Sequence, residues 1–581
     1  MIFIEPHGRG NTQYLGIGDQ DVLKCIELAK QKFNVDEDRI YLMGSSMGGF
    51  GTWNVATRHP ELFAAISPIY GGGDYHVFTP REKLEKMNNW EIYLSDKSSS
   101  TAQLEALNNM PILVSHGDRD MSVDVNLSRY LVRMLQRLNY VVRYIEVPEK
   151  GHTELGLWDQ IIPWFLEHKR NIAPKQVRIR AADLQSASAH WVSVTQKRNP
   201  FEFMVVDAEV LNGNIIRIDS KNILEVVLFP GNQLIDYSKP IKVVWNGKIL
   251  PFNNVQNQKI VLREEEYSPA PIIKTPKIAG PIIDFQNTPY LIVLGTTSQS
   301  PQMMKNIQQK AGVMISDWKS AQKFEPRVKN DVEVTEADLK AYSILLFGGP
   351  EDNSITKRIF EKIPFQVNKN EISVDGKVFK AQDAVLTAIY PNPYNNERYV
   401  GLVVATSSIG MNFFDSHRRD PFKFDYAIVD SRIPLHTIGA TNDKILIASG
   451  FFNYNWKIDD ALLVTGDEKL RAQCAYFVMK NDSIMDIISN STPAIETLKK
   501  YIGTYQVDNG PQLIVFFDND ILKIAQVSNR DFSLPLLAVS NNEFYLKELD
   551  ISVSFKQDRT TQNYFLVIHE GGQENSSKKI Q

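Results

Sequence analysis

The pattern of hydrophobic and polar positions along the chain changes at Pro174. Before Pro174, short apolar runs alternate with stretches whose apolar residues recur at helical spacing. Alternating strands and helices predict a parallel sheet with helices on both faces. The predicted strands are Met1–Glu5, Arg39–Met43, Phe63–Ile69, Pro111–His116 and Val141–Val147, and the predicted helices are Asp21–Phe33, a stretch ending at His59 before Pro60, Leu127–Leu138 and Leu155–His168.

Beyond Pro174 the pattern predicts three further regions. Short strands punctuated by Gly and Asn indicate a small β-sandwich at 173–267. A Pro-rich linker then leads into a second region, 268–490, whose apolar runs are typical of buried strands in a three-layer α/β domain. Residues 491–581 are β-rich again and favour a small antiparallel barrel or sandwich. The fold class is therefore α/β, with 1–172 as the first of four domains.

Composition narrows the function classes. The chain has 581 residues, a net charge of −4 and a pI of about 6.3, so no basic bias favours nucleic acid as a partner. No apolar run approaches the roughly 18 residues of a membrane span. Cys25 and Cys474 lie too far apart for a metal-ligand pair or a disulfide framework. Met1–Glu5 has no signal-peptide pattern, so the compartment is left open, with a periplasmic or extracellular location expected if a signal precedes Met1.

The stretch Gly44-Ser45-Ser46-Met47-Gly48 matches the G-x-S-x-G pattern of a nucleophile elbow. A predicted strand precedes it and a predicted helix follows, as this turn requires. Small residues are expected two before and two after the nucleophile, because the backbone is tight there. Glycines flank Ser46 in this way, whereas methionines flank Ser45, so we expect Ser46 to be the nucleophile.

A serine nucleophile needs a base, and the base needs an orienting acid, in the chain order Ser, Asp or Glu, His. Two aspartates follow the strand that ends at His116. Asp120 is favoured because it stands in an H-G-x-x-D-x-x-V arrangement at a carboxyl strand end, while Asp118 is the alternative and would otherwise shape the turn. His152 follows the acid on a strand-to-helix loop, and we expect it to be the base.

These motifs resemble the α/β-hydrolase superfamily, specifically prolyl oligopeptidase-like catalytic domains and related carbohydrate-ester and feruloyl-type esterases. The resemblance rests on Val35–Trp53, His116–Asp120 and Gly151-His152, less than a third of the chain. It implies that Ser46 is the nucleophile, that His152 acts as base and then acid, and that Asp120 orients His152. It also implies that the Met47 N–H is an oxyanion donor.

A weaker resemblance concerns the C-terminal region. From Tyr501 onwards the chain resembles the lipocalin-like β modules that are appended to some bacterial hydrolases. The resemblance implies a β-rich accessory domain there, without assigning it a role.

The chain departs from this family at its start. Only one predicted helix separates Met1–Glu5 from the nucleophile strand, so Met1–Glu5 is expected to be the fourth strand of the fold. The first three strands and the loop with the second oxyanion donor would then be missing, and the His7–Gly10 loop would not replace it. We therefore expect an N-terminally incomplete chain with low activity, because one lost donor costs about 10²–10³ in rate.

The sequence thus predicts a serine hydrolase that cleaves an ester or peptide bond through an acyl-enzyme. The alternatives are a carbohydrate-ester (acetyl or feruloyl) esterase and a degenerate hydrolase that serves as a binding scaffold. The partners expected are a small ester or peptide, and carbohydrate under these alternatives, with no metal or organic cofactor. The 74–110 segment is a candidate lid, with Tyr75, Trp90 and Tyr93 either lining the substrate pocket or packing.

The Leu345–Gly349 stretch invites a nucleotide-loop interpretation. No GxGxxG or Walker pattern follows it, so a plain strand-end turn is favoured.

Overall fold

A computed structural model gives the architecture in two compact units. The first unit comprises Met1–Val429 with Ala448–Val464, and the second comprises Asp430–Ile447 with Thr465–Gln581. The structure describes the chain except for residues 74–84, 86, 88, 254, 415–419, 433–445, 470, 472–492, 508–509, 519–520, 547–548, 550, 559–561, 571–572 and 581. Cys474 and Tyr75 lie outside the described residues.

The N-terminal part of the first unit is built on a parallel sheet in which sequence order equals spatial order. Its strands alternate with helices, as the sequence pattern predicts. The strands are β1 (Tyr41–Ser45), β2 (Ala65–Ile69), β3 (Ile112–Gly117) and β4 (Val142–Val147), and the helices are α1 (Ile17–Lys32), α2 (Met47–Arg58), α3 (Asn89–Asp96), α4 (Val125–Arg137) and α5 (Trp158–Leu166).

The expected strand at Met1–Glu5 is wrong. These residues form no ladder, and the side chains of Met1, Ile2 and Phe3 are each more than half exposed. A strand needs a neighbour for its backbone N–H and C=O groups, and apolar residues alone do not supply one. The assignment of Met1–Glu5 as the fourth strand of the fold is therefore wrong as well, because it counted elements from a strand that does not form. Within the described sheet, β1 pairs with β2 alone.

Two sheets of mostly antiparallel strands follow and pack against each other. Their shared apolar core contains Val194 and Val226 from one sheet and Val206 and Ile218 from the other. Alternate residues of the strands are buried, which is the pattern of a two-sheet sandwich. One sheet has the order β13-β10-β7-β6 and the other β12-β11-β9-β8-β5. The strands are β5 (Gln176–Ala181), β6 (Ser188–Ala189), β7 (Val192–Lys197), β8 (Met204–Leu211), β9 (Ile215–Lys221), β10 (Ile223–Leu228), β11 (Ile241–Trp245), β12 (Lys248–Phe252) and β13 (Ile260–Arg263).

A mixed eight-stranded sheet forms the next part, with the order β15-β14-β16-β21-β20-β22-β23-β24. Its central strands are buried along their whole length, which explains their continuous apolar runs. A small three-stranded sheet, β17-β18-β19, accompanies it. The elements are β14 (Tyr290–Leu294), α6 (Pro301–Gln322), β15 (Val328–Asn330), α7 (Glu336–Ala341), β16 (Ser343–Phe347), α8 (Ser354–Phe360), β17 (Phe365–Asn368), β18 (Glu371–Val374), β19 (Lys377–Lys380), β20 (Ala384–Asn392), β21 (Asn395–Ala405), α9 (Ser408–Phe413), β22 (Tyr426–Asp430), β23 (Leu446–Gly450) and β24 (Leu463–Thr465).

A buried ion pair connects the Pro-rich segment, residues 268–276, to the residue that precedes β22 of this sheet. The Lys274 ammonium bonds to the Asp425 carboxylate, whose side chain is fully buried and also accepts the Phe452 N–H at 2.9 Å. The Lys274 Nζ lies 5.0 Å from the centre of the Trp456 ring. Burial raises the pKa of Asp425, although Lys274 opposes that rise. The segment is therefore anchored at a buried point.

We expect Lys274→Met to lower the free energy of unfolding by about 3–5 kcal/mol, because it leaves the Asp425 charge buried without its partner. The matched control is Lys277→Met on the same segment, whose exposed pair with Glu397 should contribute less than about 1 kcal/mol. Urea denaturation followed by tryptophan fluorescence measures both. Equal losses in the two variants would contradict the importance of the buried pair.

The second unit contains a nine-stranded antiparallel sheet with the order β28-β27-β26-β25-β33-β32-β31-β30-β29. The two end strands are consecutive in the chain, so the sheet curls upon itself. Its interior is filled by side chains, including the Tyr501 and Phe555 rings stacked 4.2 Å apart. The elements are α10 (Ile495–Leu498), β25 (Gly503–Val507), β26 (Gln512–Asp518), β27 (Ile521–Gln526), β28 (Asn529–Pro535), β29 (Leu537–Ala538), β30 (Glu543–Leu546), β31 (Ile551–Gln557), β32 (Tyr564–Glu570) and β33 (Gln573–Lys579).

Across the described parts of both units, none of the helices has the combination of length and apolar character that crossing a bilayer requires.

Candidate active site

Ser46 stands at the sharp turn between β1 and α2. Its backbone has φ 54° and ψ −119°, a conformation that non-glycine residues rarely adopt, and its N–H donates to the Ile69 carbonyl at 3.1 Å. A Cβ added at Gly44 would lie 2.4 Å from the Gly48 carbonyl oxygen, so Gly44 must be glycine for this turn to close. At Gly48 an added Cβ would meet no atom within 4 Å. The expectation that both flanking glycines are needed for space is therefore wrong for Gly48.

A further close approach, which the motif did not indicate, holds the start of α2 on the sheet. Gly49 faces Gly71, and a Cβ on Gly49 would lie 2.5 Å from the Ile69 carbonyl oxygen and 2.8 Å from the Gly71 Cα. The only available signal was the Gly71-Gly72-Gly73 run after β2. The contact fixes the height of Ser46 above the sheet.

The structure brings the three polar candidates into one hydrogen-bonded chain. His152 Nε2 lies 2.8 Å from Ser46 Oγ, and His152 Nδ1 lies 2.8 Å from Asp120 Oδ2. Asp120 follows β3 and His152 follows β4, so both come from carboxyl ends of parallel strands in the same sheet as β1. The Asp120 side chain has no exposed surface, whereas 27% of the His152 side chain is exposed. The acid is thus enclosed while the base remains accessible.

Backbone groups fix the charge and orientation of Asp120. Its Oδ1 accepts the N–H groups of Ser122 at 2.8 Å and Val123 at 2.9 Å. Burial would raise the pKa of Asp120, but hydrogen bonds from Val123, His152 and Ser122 outweigh it and hold the pKa below its usual range. Asp118 is exposed, and no bond joins it to His152 among the described residues. Of the two aspartates, the structure brings Asp120 to the histidine.

Two residues beside this chain were not predicted as site residues. His116 is fully buried, and its Nε2 lies 3.0 Å from the Val123 carbonyl oxygen and 3.4 Å from Asp120 Oδ2. The carbonyl contact indicates that Nε2 carries the proton, while Nδ1 accepts from the Ser128 hydroxyl at 2.7 Å. Burial lowers the pKa of His116, which favours this neutral form. The Tyr70 ring lies 4.8 Å from the His152 ring and limits how far that ring can move.

The Met47 N–H, which the sequence predicts to be an oxyanion donor, lies at the start of α2. Met47 is the first residue of α2, where a backbone N–H has no partner within the helix. The positive end of the helix dipole adds to its attraction for a developing negative charge. In the His7–Gly10 loop, the Gly8 N–H donates to the Asp21 carboxylate of α1 at 3.1 Å.

The aromatic residues of the candidate lid pack against other parts of the first unit. The Trp90 ring lies 5.6 Å from Phe424, and the buried Tyr93 donates its hydroxyl to the Ala182 carbonyl at 3.1 Å. These contacts are packing contacts, which is one of the two interpretations that the sequence left open for Trp90 and Tyr93. Tyr75 and most of residues 74–88 lie outside the described residues.

The Gly348-Gly349 turn lies at a second place where a ligand is expected in α/β folds. Strand order reverses at β14, between β15 and β16, and such switch points commonly hold anions. Here a carboxylate of the chain itself fills the position. Asp331 accepts from the Thr296 N–H at 3.1 Å and from the Ser354 N–H at the start of α8 at 2.6 Å. The geometry is that of a closed strand-end turn.

We expect Asp331→Asn to lower the free energy of unfolding by about 2–3 kcal/mol at pH 7, because an amide cannot satisfy all these donors. Burial would raise the pKa of Asp331, but the hydrogen bonds from Thr296 and Ser354 outweigh it and keep the pKa low. Its stabilisation is therefore present above about pH 3.9, the unfolded value, and is lost as pH falls through the lower folded value. Urea denaturation at several pH values measures this, with exposed Glu351→Gln as the control. A difference that stays constant down to pH 2 would contradict it.

Comparison with known proteins places this site in a family. The family model described as the prolyl oligopeptidase family matches residues 7–168, the stretch that carries Ser46, Asp120 and His152. This segment is a prolyl oligopeptidase-like α/β-hydrolase domain. The prolyl oligopeptidase-like segment is 23% identical over 158 residues to dipeptidyl aminopeptidase BIII of Pseudoxanthomonas mexicana, covering 25% of this chain and 23% of that protein. It is 28% identical over 130 residues to an uncharacterized secreted protein of Arthroderma benhamiae, covering 21% of this chain and 14% of that protein.

Solved structures similar to the prolyl oligopeptidase-like segment include both esterases and peptidases. A thermostable esterase is 33% identical, with a TM-score of 0.20, over 26% of this chain and 36% of its own. A puromycin-hydrolyzing peptidase of Mycobacterium tuberculosis is 18% identical, with a TM-score of 0.21, over 24% of this chain and 23% of its own. The chain thus spans about a quarter or less of the length of the curated relatives it matches.

Among the described residues, no group of three or more His, Cys, Asp or Glu side chains is placed to hold a metal ion.

Proposed function

We propose that the protein is a serine hydrolase that cleaves an ester or peptide bond through an acyl-enzyme at Ser46. The observation that carries the proposal is the chain of two 2.8 Å contacts from Ser46 Oγ through His152 to Asp120. A hydroxyl is a weak nucleophile until a base takes its proton in the step that forms the new bond. The positions of the two ring nitrogens of His152 suit that transfer.

In the proposed reaction, Ser46 Oγ attacks the substrate carbonyl carbon while His152 Nε2 takes the hydroxyl proton. The Met47 N–H stabilises the negative oxygen of the tetrahedral intermediate. The C–N or C–O bond then breaks, and His152 returns the proton to the departing amine or alcohol. Water, activated by the same nitrogen, releases the acyl group from Ser46. Asp120 keeps the Nδ1 proton of His152 in place and favours the positively charged ring.

The similar proteins, rather than the geometry of the site, favour one type of cleaved bond over another. The family of residues 7–168 and the name of the Pseudoxanthomonas relative favour a peptide bond near the amino end of a short peptide. The same chemistry serves an ester, because both reactions pass through a tetrahedral intermediate with a negatively charged oxygen and give an acyl-enzyme.

A fluorophosphonate probe tests the proposal directly, because it reacts with an activated serine and not with an ordinary hydroxyl. We expect one equivalent of label, located at Ser46 by peptide mass mapping, and none in heat-denatured protein. The neighbouring Ser45 is an internal control in the same peptide. Labelling of Ser45, or no labelling of the folded protein, would contradict the proposal.

A further inference from the structure

A cavity of about 380 Å³ lies where three parts of the first unit meet. Residues from three stretches of the chain line it, together with Gln322: most of the loop and helix start within 11–20, then Asp183, Gln185 and Ser186, and then Ile283, Asp284, Gln286 and Asn287. Small-molecule sites commonly have volumes of roughly 300–1,000 Å³ and form preferentially where domains meet. Size and position both fit a ligand site.

This cavity is separate from the site at Ser46. Its wall includes Arg58, the last residue of α2, and His59, which follows it, whereas Ser46 precedes the first residue of the same helix. The twelve residues of α2 span about 18 Å at the rise of an α-helix. A ligand in the cavity would therefore be remote from the proposed nucleophile.

Many of the charged side chains around the cavity already have partners within the chain. Four basic and three acidic side chains line it, namely Arg58, His59, Lys97 and Lys423 against Asp19, Asp183 and Asp284. Two internal pairs neutralise part of this set: His59 with Asp19 at 2.8 Å, and Lys97 with Asp183 at 2.7 Å. Burial raises the pKa of Asp284 well above its usual range, which favours a neutral carboxyl that can donate or accept a hydrogen bond. The Arg58 guanidinium donates to the Asn54 and Lys97 carbonyls of the chain itself. The lining therefore offers mainly neutral donors and acceptors, which suit an uncharged ligand.

Carboxamides are the most frequent lining group, since seven of the 22 lining residues are Asn or Gln. Gln322 donates to Gln286, and Gln185 donates to Asp284 at 3.2 Å. Within the part of the chain that the structure describes, Gln322 Oε1 accepts no hydrogen bond, and the half-buried Gln20 amide makes none. Each amide offers two donors and an oxygen acceptor, which matches hydroxyl groups that both donate and accept.

We propose that this cavity is a binding site for an uncharged, polyhydroxylated small molecule of monosaccharide size. Ile17 and Ile283 provide apolar surface for the C–H faces of such a ring, while the amides bond to its hydroxyls. Among the described lining residues none is Phe, Tyr or Trp, so hydrogen bonds rather than stacking on a large ring select the ligand. We expect a dissociation constant of about 1 mM for a single sugar, the weak end of specific binding.

Saturation-transfer NMR on the whole protein tests the proposal with glucose, galactose and xylose at about 10 mM. Cyclohexanol, a six-membered ring with a single hydroxyl, is the ligand control. At least one sugar should receive saturation, while cyclohexanol should receive none. Gln20→Trp, which fills the cavity, should reduce the sugar signal at least about tenfold. Gln136→Trp on exposed α4 should leave it unchanged.

Gln20→Leu, which replaces the amide by an apolar group of similar volume, serves as the second variant and should weaken binding without filling the cavity. Fluorophosphonate labelling of every variant should match the wild type, which separates failure of this site from failure of the proposed hydrolase. No saturation of any sugar, equal signals in Gln20→Trp and Gln136→Trp, or cyclohexanol saturated as strongly as the sugars would each overturn the proposal.

Discussion

Replacing Ser46 by alanine should lower kcat by about 10⁶-fold for whichever reporter the wild type cleaves, p-nitrophenyl acetate or an aminoacyl-prolyl p-nitroanilide. The variant loses the only oxygen that lies 2.8 Å from His152 Nε2 among the described residues, so no acyl-enzyme can form. Initial rates measured at saturating reporter check the prediction. Protein folding should be unaffected, because the Ser46 side chain makes no helix-capping bond.

The matched control is Ser45→Ala. Ser45 is the last residue of β1 and its side chain is exposed, so its removal should change kcat by less than about tenfold. A large loss in Ser45→Ala, or turnover that survives in Ser46→Ala, would assign the reaction to a different nucleophile.

Asp120→Asn should lower kcat by about 10⁴-fold, and the structure gives a specific reason. The backbone N–H groups of Ser122 and Val123 both point at Oδ1, so the amide oxygen of asparagine must face them. The NH₂ group then faces His152 Nδ1, which must become the acceptor. The ring proton moves to Nε2, which can no longer take the proton of Ser46.

Asp118→Asn is the control for this prediction, because Asp118 is the exposed aspartate of the same loop. Its kcat should stay within about tenfold of the wild type. If Asp118→Asn lost as much activity as Asp120→Asn, the orienting acid would be misassigned. Circular dichroism of both variants establishes that the comparison is between folded proteins.

Local patterns were sufficient for the elements that surround Ser46. The strand and helix on either side of Ser46 lie within about three residues of their predicted bounds, because apolar spacing and Pro60 act over short distances. The choice of Ser46 over Ser45 and of Asp120 over Asp118 also came from local spacing. The structure brings each preferred residue, and not its alternative, to His152.

Features that depend on distant partners could not be predicted in this way. Met1–Glu5 has the apolar content of a strand, but strand formation depends on a neighbour that the local sequence does not specify. Lys274 and Asp425 are 151 residues apart, and neither has a local pattern that marks it as buried. The predicted limits of the four domains, including the one at residue 172, stay predictions.

Hydrogen bonds that cross residue 172 have a practical consequence for dissecting the protein. The Asn108 and Asn109 side-chain amides both donate to the Gln176 carbonyl, at 3.1 and 2.9 Å, and Lys197 Nζ donates to the Tyr93 hydroxyl at 2.8 Å. Ending the chain at 172 would remove these acceptors and donors and uncover the buried Tyr93. The segment with Ser46, Asp120 and His152 and the residues after 172 thus stabilise each other. We expect a protein that ends at residue 172 to be less stable than the full chain, so its activity would not represent that of the full chain.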